Sequence, residues 1–213
     1  MKPVDYFTPF NADELNAKDH DLGSGGPMLL PDQPGPHAHL AVVGGKGPMI
    51  YVVDRDRLGH FQKGSNSHAV QTIPTSRGIY GSMAYWNRNV FVLSDYDSLR
   101  DFEVKDGKLV FKAASSFKLE DHAATPMVSA NGEKDGIVWV LSSKGWSSPD
   151  RLAVLYAADA ADISHLLYTS SQNAARDNAG YALRFNIPTV VNGHVYVGAK
   201  GEVDVYGLLS QKQ

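Results

Sequence analysis

Cysteine does not occur among the 213 residues, which excludes disulfides, thiolate metal sites and a cysteine nucleophile. The compartment stays open, since periplasmic and cytosolic chains alike can lack cysteine. Long apolar runs are missing as well. The longest, such as residues 136–141, fall far short of the roughly 20 residues that span a bilayer. The opening MKPVDYFTPFNADEL holds no apolar segment of signal-peptide length. No membrane span and no export signal are therefore expected in these residues, although a piece of an exported protein would read the same way. Positive charge is not in surplus: 20 Lys and Arg face 23 Asp and Glu, a formal net charge of −3. A chain without a basic excess cannot neutralise many phosphates, so nucleic acid is not an expected partner. Tryptophan is limited to Trp86, Trp139 and Trp146, and helical patterning is scarce.

What the chain does contain is turn residues, 20 Gly and 11 Pro, placed between short β-branched or aromatic segments. Residues 39–43, 49–53, 89–93, 108–111, 136–141 and 194–197 have this character, and each is bounded by Gly, Asp, Asn, Ser or Pro, the pattern of strands joined by tight turns. Residues 151–163 are ambiguous, because YAADAAD (156–162) has high helix propensity. Their flanks, residues 152–156 and 166–169, read as strands with a turn between them.

These segments repeat. IPTVVNGHVYV (187–197) lies over SMAYWNRNVFV (82–92) without a gap, with Asn192 on Asn87. A third copy is TPMVSAN (125–131) followed by GIVWV (136–140), and a looser fourth is GPMLLP (26–31) followed by HLAVV (39–43). Each copy is strand, polar turn, strand. Third strands are expected at 49–54, 99–104, 152–157 and 202–207, and fourth strands around 59–62, 108–113 and 166–170. The anchors Pro27, Met83, Pro126 and Pro188 recur at intervals on the order of 40–60 residues, the period of propeller blades. The expected fold is all-β: a propeller of about four four-stranded antiparallel blades, near 21–64, 77–117, 122–171 and 183–208. Innermost strands are expected at 26–30, 82–86, 126–130 and 188–192. A β-sandwich of unrelated strands is the alternative, but it does not call for a repeated phrase.

DYFTPFN (5–11), DHDLGSGGP (19–27), GGKG (44–47), YVVDRDRLG (51–59) and the closing IPTVVNGHVYVGAKGEVDVY (187–206) together resemble the PQQ-binding-like, or quinoprotein-like, β-propeller repeat proteins of bacteria, as a C-terminal portion of one. Full members of that family have seven or eight blades, against about four here. The resemblance implies a periplasmic or secreted parent protein, and a cofactor, PQQ, held over the central funnel beside calcium or a lanthanide. In such enzymes carboxylates and an Asn bind the metal, an Asp acts as base, and many have a vicinal disulfide. This chain departs from that pattern in having no cysteine and no Trp-rich blade motif, so PQQ and calcium stand on resemblance alone. The chain is expected either to be a partial propeller, or to be closed into a small ring by residues 4–10, which would add the missing outer strand to the last blade. Two chains could equally build an eight-bladed ring. Self-association, or association with missing blades, is the expected partnership, because an open end exposes a blade face.

The funnel mouth should be lined by the residues just before each innermost strand: 18–21, 77–80, 120–122 and 183–186. Candidate ligand-binding residues there are Asp19, His20, Asp21, Asp121, His122, Arg184 and Asn186. Converging carboxylates and imidazoles could hold a divalent cation, with Asp21, Asp121 and His122 as candidates. Arg184 could pair with an anionic ligand. The competing role is structural, since Asp and His at turn-to-strand junctions commonly cap backbone N–H groups or pair with each other. His37 and His39 share one face by period-2 geometry but have no third ligand nearby. Ser24, in GSGG, lacks the context of a phosphate loop or a nucleophile elbow. The loop 142–149 carries Trp146 and could contact a ligand or partner.

Two functions from different classes fit these residues. One is a non-catalytic propeller module acting as scaffold or binding surface. The other is a fragment or subunit of a PQQ- and calcium-dependent oxidoreductase acting on an alcohol, sugar or amine. A funnel hydrolase or lyase is formally open, but no spacing promotes it.

Overall fold

The computed structural model describes residues 2–120 and 125–209. In chain order the elements begin with β1 (Phe7–Thr8) and α1 (Ala12–Ala17). The first blade follows: β2 (Met28–Leu29), β3 (Leu40–Gly44) and β4 (Met49–Asp54), then β5 (His60–Phe61) outside it, then its outer strand β6 (Gln71–Pro74). Blade 2 is β7 (Ala84–Trp86), β8 (Asn89–Val92), β9 (Ser98–Lys105) and β10 (Lys108–Lys118). Blade 3 is β11 (Met127–Asn131), β12 (Lys134–Ser142), β13 (Val154–Asp159) and β14 (Leu166–Thr169). After the short α2 (Ala174–Asp177) comes blade 4, β15 (Thr189–Val191), β16 (His194–Ala199) and β17 (Glu202–Tyr206). All pairings inside the blades are antiparallel. Each innermost strand falls where the repeat placed it, and the ambiguous 151–163 stretch contributes β13 and a turn rather than a helix.

Turn chemistry fixes the register. Asn87-Arg88, Asp106-Gly107 and Asn192-Gly193 all have positive φ at both positions, 44° and 65°, 51° and 72°, and 50° and 75°. Two-residue turns of that hand match the right-handed twist of the flanking strands. They bring Trp86 opposite Asn89, Lys105 opposite Lys108 and Val191 opposite His194.

Period-2 alternation then sends the two faces of each blade to two different seams. Val90 and Val92 point back onto Leu40, Val42, Ile50 and Val52 of blade 1, whereas Phe91 and Leu93 point on toward Val138 and Val140 of blade 3. Leu141 and Leu155 in turn meet Val195 and Val197. Val92, Val138, Val140, Val195 and Val197 are all buried. Each such side chain stabilises the stack by roughly 1.5–3 kcal/mol. Hydrogen bonds cross the same seams: Gln71 donates to Leu109 O (3.0 Å) and accepts from Leu109 N (2.8 Å), and Trp86 Nε1 donates to Gly132 O (2.8 Å).

Two expectations need correction. Residues 59–62 do not form the outer strand of blade 1; β6, ten residues further on, takes that place. Residues 4–10 do not complete blade 4. Instead β1 pairs with β5 in parallel, Phe7 opposite His60, at the far end of the array. The reason is packing: Phe7 lies 5.1 Å from the Tyr51 ring and 4.8 Å from His68, and with Leu22, Leu58 and Ala69 it covers Ala41, Tyr51 and Val53 on the outward face of blade 1. Among the described residues blade 4 has three strands. The fold is a partial β-propeller, capped at blade 1. Among the described residues no helix is long and apolar enough to cross a membrane.

Candidate axial binding site

The innermost strands β7 and β11, and β11 and β15, are neighbours, and the segments that precede β2, β7 and β15 meet at one mouth of the axis. A cavity of about 990 Å³ opens there, lined by Lys18, Asp19, His20, Asp21, Lys46 and Arg184 among others. Its size is in the range of small-molecule sites.

Lys46 organises one side. It sits in the GGKG turn that follows β3, and this turn passes so close to the chain around Asp21 that only glycine fits: a Cβ on Gly45 would lie 2.5 Å from Asp21 O. Lys46 N donates to Asp21 O at 2.9 Å. Its Nζ reaches Asp19 Oδ2 at 2.8 Å and Asp21 Oδ2 at 2.7 Å. These hydrogen bonds, Asp19 first, hold the ammonium group well above the ordinary lysine range, and Lys46 in turn holds Asp19 below the usual carboxylate range. Ser24 Oγ donates to Ile79 O at 2.8 Å, a bond that ties the Gly-rich turn to the approach of blade 2.

Arg184 organises the other side. Its guanidinium lies 4.0 Å from the Trp146 ring centroid and 5.1 Å from that of Phe185. Phe185 in turn stacks on Tyr80, with centroids 6.4 Å apart and an interplanar angle of 18°. A guanidinium over aromatic faces gains cation–π attraction and keeps N–H groups able to donate to an anion. Asn186 serves the backbone: its Nδ2 donates to Gly198 O at 2.6 Å and fastens this loop to blade 4.

The structure thus brings Asp19, His20, Asp21 and Arg184 to the cavity, and gives Asn186 a bond behind it. Asp121 and His122 lie outside the described residues. His37 and His39 precede β3, and each is engaged by its own carboxylate, His37 Nδ1 with Asp54 Oδ2 at 2.8 Å and His39 Nδ1 with Asp56 Oδ2 at 2.6 Å. Lys46 was not singled out from the sequence; its signal was a lysine flanked by glycines in a turn that has to run close to another segment.

Calcium takes 6–8 oxygen ligands. Among the described residues no cluster of three or more His, Cys, Asp or Glu could hold a metal, and the two axial carboxylates already grip an ammonium group. The donor set among the described residues does not fit a PQQ–calcium pair.

No protein-family model matches the chain, and no curated protein matches it in sequence. Solved structures do match in shape. The computationally designed Ika8 protein aligns with a TM-score of 0.52 and 13% identity over 85% of this chain and 46% of its own. The designed Ika4 protein aligns at 0.51 and 13% over 82% of this chain and 87% of its own. BamB from Moraxella catarrhalis, a β-propeller of PQQ-like repeats, aligns at 0.50 and 15% over 86% of this chain and 46% of its own. This chain spans just under half the length of Ika8 and of BamB. At such identities the likeness concerns the fold alone.

Proposed function

We propose that this chain is a non-catalytic propeller module whose axial cavity binds an anionic, carboxylate-bearing aromatic ligand. The observation that carries the reading is Arg184. It is exposed, its contacts among the described residues are two ring faces, and an arginine fork so held is suited to bidentate carboxylate recognition. The stacked Tyr80 and Phe185 rings offer an apolar wall for the body of such a ligand. Lys46 is already held by two carboxylates, Asp19 and Asp21, and adds no free positive charge, so Arg184 is the group that meets a carboxylate of the ligand. The periplasmic or secreted setting implied by the family resemblance belongs to the proposal and is tested by fractionation of the native host.

Titration calorimetry with benzene-1,3-dicarboxylate as probe, with acetate as the small control, tests the binding reading. Saturable one-to-one binding of the aromatic acid, weaker for acetate, supports it; no saturable heat with either overturns it. The non-catalytic part is tested by adding PQQ and calcium and following dye-linked oxidation of alcohols, sugars and amines, which should stay at background. Turnover above background would favour the quinoprotein reading instead.

A further inference from the structure

We propose that the open face of blade 4 is a two-fold interface, occupied by the same face of a second copy of this chain. Val190, Val195, Val197 and Tyr206 pack toward blade 3. Period-2 alternation places Thr189, Val191, His194, Tyr196, Val203 and Val205 on the opposite face. Val191 is 47% exposed, Val203 65% and Val205 55%. Tyr196 holds the position of Phe91 in blade 2 and Trp139 in blade 3, aromatic side chains that each pack at the seam with the following blade. Blade 4 carries the side chains of a seam with no following blade among the described residues.

Two features select a second copy in a two-fold arrangement. The face carries no Asp, Glu, Lys or Arg, and at a two-fold axis a residue meets its own copy, so a face free of such charges escapes self-repulsion. The other end of the array offers no matching surface, because Phe7, Leu22, Leu58 and Ala69 cover the outward face of blade 1. Head-to-tail growth needs two open ends. With one, association is isologous and stops at two.

This inference does not rest on the axial site, whose lining residues lie on other segments. The test is sedimentation velocity on the full chain across a wide concentration range, with Val191→Asp on the inner strand and Val205→Asp on the edge strand. A concentration-dependent dimer is expected, and each variant should weaken it by roughly 100-fold or more, because a charge then enters an apolar contact. Both positions are exposed in the monomer, so melting of the dilute protein should not move. A monomer at every concentration overturns the proposal, as does a dimer that neither substitution weakens. Dissociation by Val205→Asp but not by Val191→Asp also overturns it, since that result places the contact on the free edge of β17.

Discussion

The guanidinium carbon of Arg184 lies over the Trp146 ring, 4.0 Å from its centroid, although the two residues come from different blades. This contact joins the loop after β12 to the loop before β15. Trp146→Ala should weaken binding of the aromatic dicarboxylate by about 2- to 5-fold, the size of an exposed cation–π contact. Arg184→Gln should weaken it by about 10- to 100-fold, the size of a lost charge-assisted hydrogen bond. Arg184→Lys, which keeps charge but not the fork, should fall between them. Calorimetry on the three variants gives the order, and equal affinities would show that the ligand binds elsewhere.

The seams between blades should be intolerant of charge. Val138→Asp would bury an unpaired carboxylate between blades 2 and 3, at a cost of about 3–5 kcal/mol against a total stability of about 5–15 kcal/mol. Thermal melting should show a large loss or no folded protein. A melting temperature within a degree or two of the parent would place this strand at the surface.

Asp101 is fully buried, with Lys112 Nζ 3.1 Å from its Oδ2. Burial raises its carboxyl above the ordinary value of 3.8, with Lys112 opposing the shift. A carboxyl whose folded value exceeds its unfolded one is penalised once ionised, so its cost appears as pH climbs through that window and persists above it. Asp101→Asn should therefore gain stability relative to the parent as pH rises from about 4 to neutrality. Melting of both proteins across that range measures the difference. A difference independent of pH would mean that Asp101 titrates as it does in the unfolded chain.

The N-terminal cap should protect one blade. Phe7→Ala should cost about 2 kcal/mol, since Phe7 is half-buried against Tyr51 and His68. Hydrogen exchange should quicken first in β3 and β4, not in blade 3 or 4. Uniform acceleration across the chain would mean that the cap acts on global stability only.

The blades were legible in the sequence because a repeated strand, Asn-Gly-like turn and strand are local features, and period-2 alternation fixes both faces at once. The destination of residues 4–10 was not. Strand character marks a segment as able to pair, but Phe7 chose its partner through Tyr51 and His68, contacts more than forty residues away. The outer strand of blade 1 was misplaced for a related reason: GHFQ (59–62) pairs with β1 and lies outside the blade. In the axial site, Asp19, His20, Asp21 and Arg184 could be placed by counting back from the inner strands. Lys46 could not, because its role depends on a close approach between two turns that no pattern along the chain encodes.

The most direct test of the account is hydrogen exchange with and without saturating benzene-1,3-dicarboxylate. The account predicts joint protection of residues 18–24, 44–47, 78–81 and 183–186, four stretches far apart in sequence that the blades bring to one mouth of the axis. Protection of one stretch alone, or protection centred on residues 54–68 around the N-terminal cap, would contradict it.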